Sequence, residues 1–282
     1  MLRSHFPIAS DAVPVKGESM FPIGSTLPHD TATFREGLAH GLAPLGLGKD
    51  AVSLEGDFPQ LTHLRVNLTG ANFHRGLAVS KAGPGTQPVC FARSVEITGH
   101  PVRVENVPAS LDLKATDVVL AAADAAEGTG KVLILERAND GTLDLAVKKT
   151  DLESALFAAG NAAAQAKGAE VKSVELSLQN ESPRALAIRA VITAKAMFFT
   201  TTVTVSGSVD VDAQLNARLR NLHCEGDGMI GKMAAGVLRP QFEQLEARSF
   251  PLGQAVAGLT LRDVTLSGGE ELKIHAVFGA AA

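Results

Sequence analysis

Tryptophan and tyrosine are absent from this 282-residue chain, and twelve phenylalanines bring its aromatic content to only 4 %. Stacking platforms for bases or sugar rings would have to come from Phe or His, which argues against a carbohydrate or single-strand nucleic-acid binder. The chain has no Lys/Arg cluster and a net charge of −4, so the electrostatic footprint of a nucleic-acid partner is missing. Cysteine is almost absent: Cys90 and Cys224 read as isolated buried thiols, with a disulfide between them left open. No stretch approaches the ~20 apolar residues of a membrane-spanning helix. The start, Met1 to Pro7, lacks the apolar centre of a signal peptide. A complete chain is expected in the cytoplasm; removal of a leader would place it in the periplasm or cell envelope.

Chemical motifs are equally scarce. There is no Gly-x-Ser-x-Gly elbow, no Walker loop and no Gly-x-Gly-x-x-Gly after a strand. His223-Cys224-Glu225-Gly226-Asp227 has metal-ligand residue types, but neighbours on a strand point to opposite faces, and no His-x-x-x-His or Cys-x-x-Cys supports it. Asp210 and Asp212 are paired acids, better read as solubility on a wet strand face than as acid–base catalysts. No catalytic residue, metal or cofactor is assigned, and the chain is not expected to be an enzyme.

What the sequence does have is alternation. From Val203 to Arg220, eighteen residues alternate apolar and polar without a fault. Val203, Val205, Val209, Val211 and Leu215 fall on one face, and Thr204, Ser206, Asp210 and Arg218 on the other. As a single strand this run would span roughly 60 Å at about 3.3 Å per residue, and a turn at Ser206-Gly207-Ser208 would divide it. Shorter alternating or apolar runs lie at Val52–Leu54, Leu64–Leu68, Val95–Ile97, Val102–Val104, Leu111–Leu113, Val132–Leu135, Val174–Leu178 and Leu186–Ile192. Asn139-Asp140-Gly141 reads as a hairpin turn with Leu143, Leu145 and Val147 on its return strand. A parity flip between Leu261 and Val264 predicts a β-bulge at Arg262-Asp263, before a turn at Ser267-Gly268-Gly269 and a last strand to Phe278.

Helices interrupt the strands. Thr33 with Glu36 and Thr150 with Glu153 each fit a capping box. Phe34, Leu38 and Leu42 form the first helix's apolar face; Leu152, Leu156, Ala159 and Ala163 form the second's. A third helix is expected from about Gly228, carrying Met229, Ile230, Met233, Val237 and Leu238, with Pro240 kinking or ending it. The two capped helices hint at related halves, 31–149 and 150–282, behind an extended arm at 1–30.

The order from Thr150 to Gly279 — capped helix, strand pair, long alternating strands, apolar helix, closing hairpin — resembles the bacterial LmeA-type phospholipid-binding family. Val52-Ser53-Leu54-Glu55-Gly56-Asp57-Phe58-Pro59-Gln60-Leu61, followed by Leu64-Arg65-Val66-Asn67-Leu68, looks like that family's strand, Gly-x-Phe-Pro-like turn and strand. The closing segment Leu259–Phe278 is similar to its final hairpin, and the tract from Lys81 to Val147 departs from the pattern. The family is related to the tubular lipid-binding superfamily. The resemblance implies an α+β fold in which a long, strongly bent antiparallel sheet wraps one or two helices around an apolar groove. It implies non-catalytic binding of a phospholipid or fatty-acyl ligand, lipid transport, and transient contact with a membrane surface. The expected apolar lining is Met197, Phe199, Val203, Val205, Val209, Val211, Leu215, Met229, Ile230, Met233 and Val237. The competing reading is a structural or assembly protein that associates through its sheet edges, as a homodimer or with a partner.

Overall fold

The computed structural model describes residues 21–74, 82–126, 130–165, 168–196, 199–228, 231, 239–240, 242–252 and 260–280. The strands are β1 (Phe21–Gly24), β2 (Val52–Asp57), β3 (Gln60–Asn67), β4 (Asn72–Phe73), β5 (Ala82–Val104), β6 (Val107–Ala125), β7 (Lys131–Arg137), β8 (Asp140–Lys148), β9 (Ala169–Ser182), β10 (Ala185–Ala196), β11 (Phe199–Val211), β12 (Asn216–Gly226), β13 (Ser249–Pro251), β14 (Leu261–Ser267) and β15 (Glu271–Gly279). The two α-helices with full bounds are α1 (Thr31–Leu42) and α2 (Lys149–Gln165), and residues 239–240 and 242–246 are also helical. The fold is α+β and dominated by long antiparallel sheet, as the alternation requires.

The strands form two sheets. A ten-stranded sheet runs β14-β15-β8-β6-β5-β3-β2, with β7 also on β6, β1 on β7 and β4 on β5. Its pairs are antiparallel except β3–β5 and β4–β5. The second sheet has five strands in the order β13-β12-β11-β10-β9, all antiparallel. The longest strands are β5, with 23 residues, and β6, with 19, where the sequence suggested several short ones. Register shifts at Pro88/Cys90 and Gly99/Val102 break the β5 alternation and allow so long a strand to bend.

Helix α1 seals the larger sheet. Phe34, Leu38 and Leu42 are buried as the 3.6-residue period predicts, and Phe34 stacks obliquely on Phe58 at 5.4 Å. They join Leu54, Leu61, Leu64, Val66, Val95, Val118 and Leu120 in one core. The capping box of α1 is not the expected Thr33/Glu36 pair. Asp30 is the N-cap and accepts the Thr33 N–H at 2.7 Å, while the Thr33 hydroxyl accepts the Asp30 N–H at 3.2 Å. Thr33 thus sits at N3, one turn later than its composition suggested. A left-handed Gly46 follows the short helical turn Ala43–Leu45, where a stop was expected.

Two further expectations are corrected. Asn139-Asp140-Gly141 is not a hairpin turn, because β7 and β8 lie end to end along the same side of β6 and do not pair with each other. The glycine serves a close approach: a Cβ on Gly141 would collide with the Phe278 ring and come within 2.7 Å of the Lys114 carbonyl. The Thr150/Glu153 box does not form either, since Glu153 is engaged elsewhere, as described below. The bulge at Arg262-Asp263 is present, as is the turn that follows it.

The eighteen-residue run is two strands, not one. Its turn lies at Asp212–Leu215, beyond the Ser206–Ser208 site considered from sequence. Asp212 Oδ1 accepts the N–H groups of Gln214 and Asn216, both at 2.9 Å, and Leu215 takes a left-handed φ of 59°. Ser206–Ser208 is instead a register shift opposite Asn221, itself at φ 52°.

Candidate functional site

The register of the five-stranded sheet places apolar side chains in lateral rows across four strands. Val174, Ile192, Val203 and Gly226 form one row; Leu176, Ala190, Val205 and Cys224 form the next. Leu186, Val209 and Leu219 lie farther along, followed by Val211 with Ala217. These rows make a floor about 14 Å wide at a strand spacing of about 4.8 Å.

The floor is closed at one end and open at the other. At the closed end Leu178, Leu186, Val211 and Leu215 pack with Val264, Leu266 and Ala276 of β14 and β15 in a second core. Backbone and side-chain bonds fix that joint: the Leu266 N–H donates to the Pro183 carbonyl at 2.7 Å, and Arg184 Nε donates to Asp263 Oδ1 at 3.1 Å. Toward the other end Leu176, Ala190, Val171 and Val203 are still buried, but Val174, Ile192, Val205, Leu222 and Cys224 stay half-exposed and belong to none of the core clusters. Phe199 ends this side of the floor at 65 % exposure, the largest value among the exposed large apolar residues of the described chain.

Helical residues guard both edges of the floor. On the β9 side, Glu153 Oε1 accepts the Leu176 N–H at 2.8 Å and Asn161 Oδ1 accepts the Val171 N–H at 3.2 Å. The free edge of β9 is thereby satisfied by α2 rather than by another strand. On the β12 side, Glu246 Oε1 accepts the Leu222 N–H at 2.6 Å. Next to it lies a pocket of about 290 Å³ lined by Leu222, His223, Cys224, Arg239, Phe242, Glu243 and Glu246. Gly226 and Gly231 touch through their backbones, so the segment after β12 begins in direct contact with the floor.

The apolar stripe of α2 is graded in the same direction as the floor. Leu152 packs into the second core, whereas Leu156, Ala159 and Ala163, successive positions of the same stripe, are exposed. No residue of α2 is fully buried. Floor, helical edges and one sealed end together make a trough.

Of the expected lining residues, Val203 is buried on the floor, Val205 is half-exposed beside it, and Phe199 stands at the rim. Val211 and Leu215 are core residues of the closed end, with the half-buried Val209 packed against them. Met197, Met229, Ile230, Met233 and Val237 lie outside the described residues. Sequence reasoning missed Val174, Ile192, Leu222 and Cys224, which share the open floor; their signal is strand register, and one strand's alternation does not contain it.

The wet face carries no assembled chemistry among the described residues. Arg220 Nε pairs with Asp210 at 2.5 Å, and Arg218 lies 3.6 Å from Asp212. Backbone donation from Asn216, then the Asn216 side chain, Gln214 and Arg218, hold the Asp212 carboxyl below its ordinary range. His223 and Glu225 share a 3.0 Å hydrogen bond across this face while Cys224 faces the trough, so the three do not converge. The cysteines are free: Cys90 is buried in the larger core, where burial pushes its thiol up to about 12, and burial also raises that of Cys224.

No curated protein and no solved structure matches the chain. The sequence pattern of one family does: that of LmeA-like phospholipid-binding proteins, over residues 92–272. The match includes residues 92–147, where the resemblance read from sequence was poorest, and excludes the Val52–Leu68 segment that helped suggest it. It spans the whole five-stranded sheet and helix α2, and by it the chain belongs to the LmeA-like phospholipid-binding family.

Proposed function

We propose that the protein holds a phospholipid, or another ligand with a long acyl chain, in the trough of the five-stranded sheet, without catalysis, and carries it between membranes. The observation that carries this reading is the unequal sealing of one apolar face: core at Val211 and Leu215, half-open at Val174, Ile192, Val205 and Cys224. From Phe199 to Val205 the floor is about 20 Å long, somewhat more than the roughly 15 Å that one leaflet contributes to a hydrocarbon core about 30 Å thick. Eight methylenes laid there would contribute about 6 kcal/mol, at roughly 0.8 kcal/mol per buried CH₂. A smooth aliphatic wall suits such a ligand, because an acyl chain offers no hydrogen bonds to recognise.

Assembly through sheet edges is the weaker reading. Glu153 and Asn161 occupy donors of β9, and Glu246 a donor of β12, that an added strand would need. Native mass spectrometry of the purified protein, before and after incubation with phosphatidylcholine vesicles, tests the lipid reading. The wild type is expected to carry acyl ligand, and Val205→Asp to lose it while keeping its circular dichroism spectrum. A folded wild type that neither carries nor acquires an acyl ligand rules the proposal out.

A further inference from the structure

The pocket of about 290 Å³ beside Glu246 shares two of its lining residues with the trough floor. Cys224 faces that floor from the position opposite Val205, and Leu222 lies on the same side of the sheet, where a Cβ on Gly207 would meet its Cδ2 at 2.6 Å. Phe242 adds a third apolar group, and the rest of the wall is polar: His223, Arg239, Glu243 and Glu246. Two of those four are engaged. His223 shares a hydrogen bond with Glu225, and Glu246 accepts the Leu222 N–H. Arg239 and Glu243, both exposed, line the same pocket but have no ion partner among the described residues. A larger pocket of about 500 Å³, between the start of α2 and the turn after β14, shares no residue with the floor, and its Lys273 is paired with Glu271 at 3.1 Å.

We infer that the pocket beside Glu246 takes the polar end of the bound lipid and selects a zwitterionic headgroup, a phosphate followed by an ammonium, over an anionic one. The inference rests on the lipid-binding reading, since acyl chains on the floor beside Val205 and Cys224 bring the headgroup to the β12 border. Arg239 presents a planar guanidinium whose N–H groups donate to phosphate oxygens. Glu243 presents a carboxylate that accepts from the ammonium. The charge of the lining favours the zwitterion: two carboxylates stand against one guanidinium. A headgroup whose only charge is its phosphate meets repulsion from them, whereas an ammonium offsets it. The volume lies at the small end of ligand sites, so it suits a headgroup and leaves the chains to the floor.

Mixed vesicles with equal amounts of phosphatidylethanolamine and phosphatidylglycerol, of the same acyl chains, present both headgroups on one surface. Native mass spectrometry of the protein after incubation with them reads the ratio of the two lipids bound. Wild type is expected to carry the ethanolamine lipid in about two- to fivefold excess, the size of a solvent-exposed charge contact. Glu243→Gln should bring the ratio close to one, and Glu243→Lys should reverse it, with total lipid bound at the wild-type level. Arg239→Gln should lower the uptake of both lipids by about tenfold, through loss of a charged donor. Glu270→Lys adds the same charge at the other pocket and should keep the wild-type ratio. Equal uptake of the two lipids by wild type, an unchanged ratio in Glu243→Lys, undiminished uptake by Arg239→Gln, or the same reversal in Glu270→Lys overturns the headgroup site and leaves lipid binding intact. A wild type that acquires neither lipid overturns the site and the lipid-binding reading together.

Discussion

Helices α1 and α2 look alike as sequence: each is amphipathic, each precedes a run of strands, and each carries a capping signal. In the structure α1 buries Phe34, Gly37, Leu38, Ala39, Gly41 and Leu42, whereas α2 buries nothing completely. The difference follows from what each helix meets. Helix α1 lies across strands β1 and β2 over a face that supplies large apolar partners, so burial drives its docking. Helix α2 lies along the free edge of β9 and is held by two side-chain bonds to backbone donors. One helix is a lid and the other a rail. A rail satisfies the edge and leaves the floor beside it open, which is the condition for holding something other than the protein's own core.

Substitutions should separate the two roles. Phe34→Ala is expected to cost about 3–5 kcal/mol, the usual penalty for emptying a fully buried aromatic site, while Phe157→Ala on α2 should cost under about 1 kcal/mol. Urea unfolding of the two variants reads the contrast, and similar losses would abolish the distinction. Glu153→Ala should cost about 1–3 kcal/mol, because the Leu176 N–H loses a charged acceptor. Its mark is local: hydrogen exchange should accelerate at Leu176 and along β9 before it does in β5 or β6.

Smaller effects follow from titratable groups. The Arg184 hydrogen bond, with the Val264 N–H and the charge of Arg184, holds the Asp263 carboxyl below its ordinary value of 3.8. A lowered folded pKa means that the unfolded chain binds the proton more readily. The joint between β14 and the β9–β10 turn therefore contributes in full above 3.8 and is lost as pH falls through the lower folded value. Asp263→Asn should flatten the acid limb of the stability curve, measured by unfolding at graded pH; an unchanged limb argues against the linkage. Smallest of all, alkylation at pH 8 should reach Cys224 before Cys90, and bound acyl ligand should slow the first without changing the second.

Much of the fold was legible because strand alternation survives in Val203–Arg220, in Leu64–Leu68 and in the last strand, and because the parity flip at Leu261–Val264 marks a real bulge. What misled was punctuation. The turn at Asp212–Leu215 keeps the apolar parity on both sides and uses Leu215 rather than glycine at its left-handed position, so nothing in the pattern breaks there. Asn139-Asp140-Gly141 has turn composition, but Gly141 answers to the Phe278 ring. The trough was legible only in part. Alternation identifies the dry face of β11, yet which half of that face is closed depends on β14 and β15, which return from the far end of the chain to meet it. Glu153 reads as a cap three residues after Thr150, and only its proximity to Leu176 shows that it serves a strand.

The contact between Gly226 and Gly231 has a further consequence. Two main chains meet there with no side chain between them, and a methyl on either glycine would overlap the other's backbone. The approach of Gly231 to the β12 border of the floor is therefore set by peptide atoms, which have no rotamer to change. Gly226→Ala would push Gly231 away from the strand position opposite Val203. The spacing of these two main chains is thus written into one pair of hydrogens.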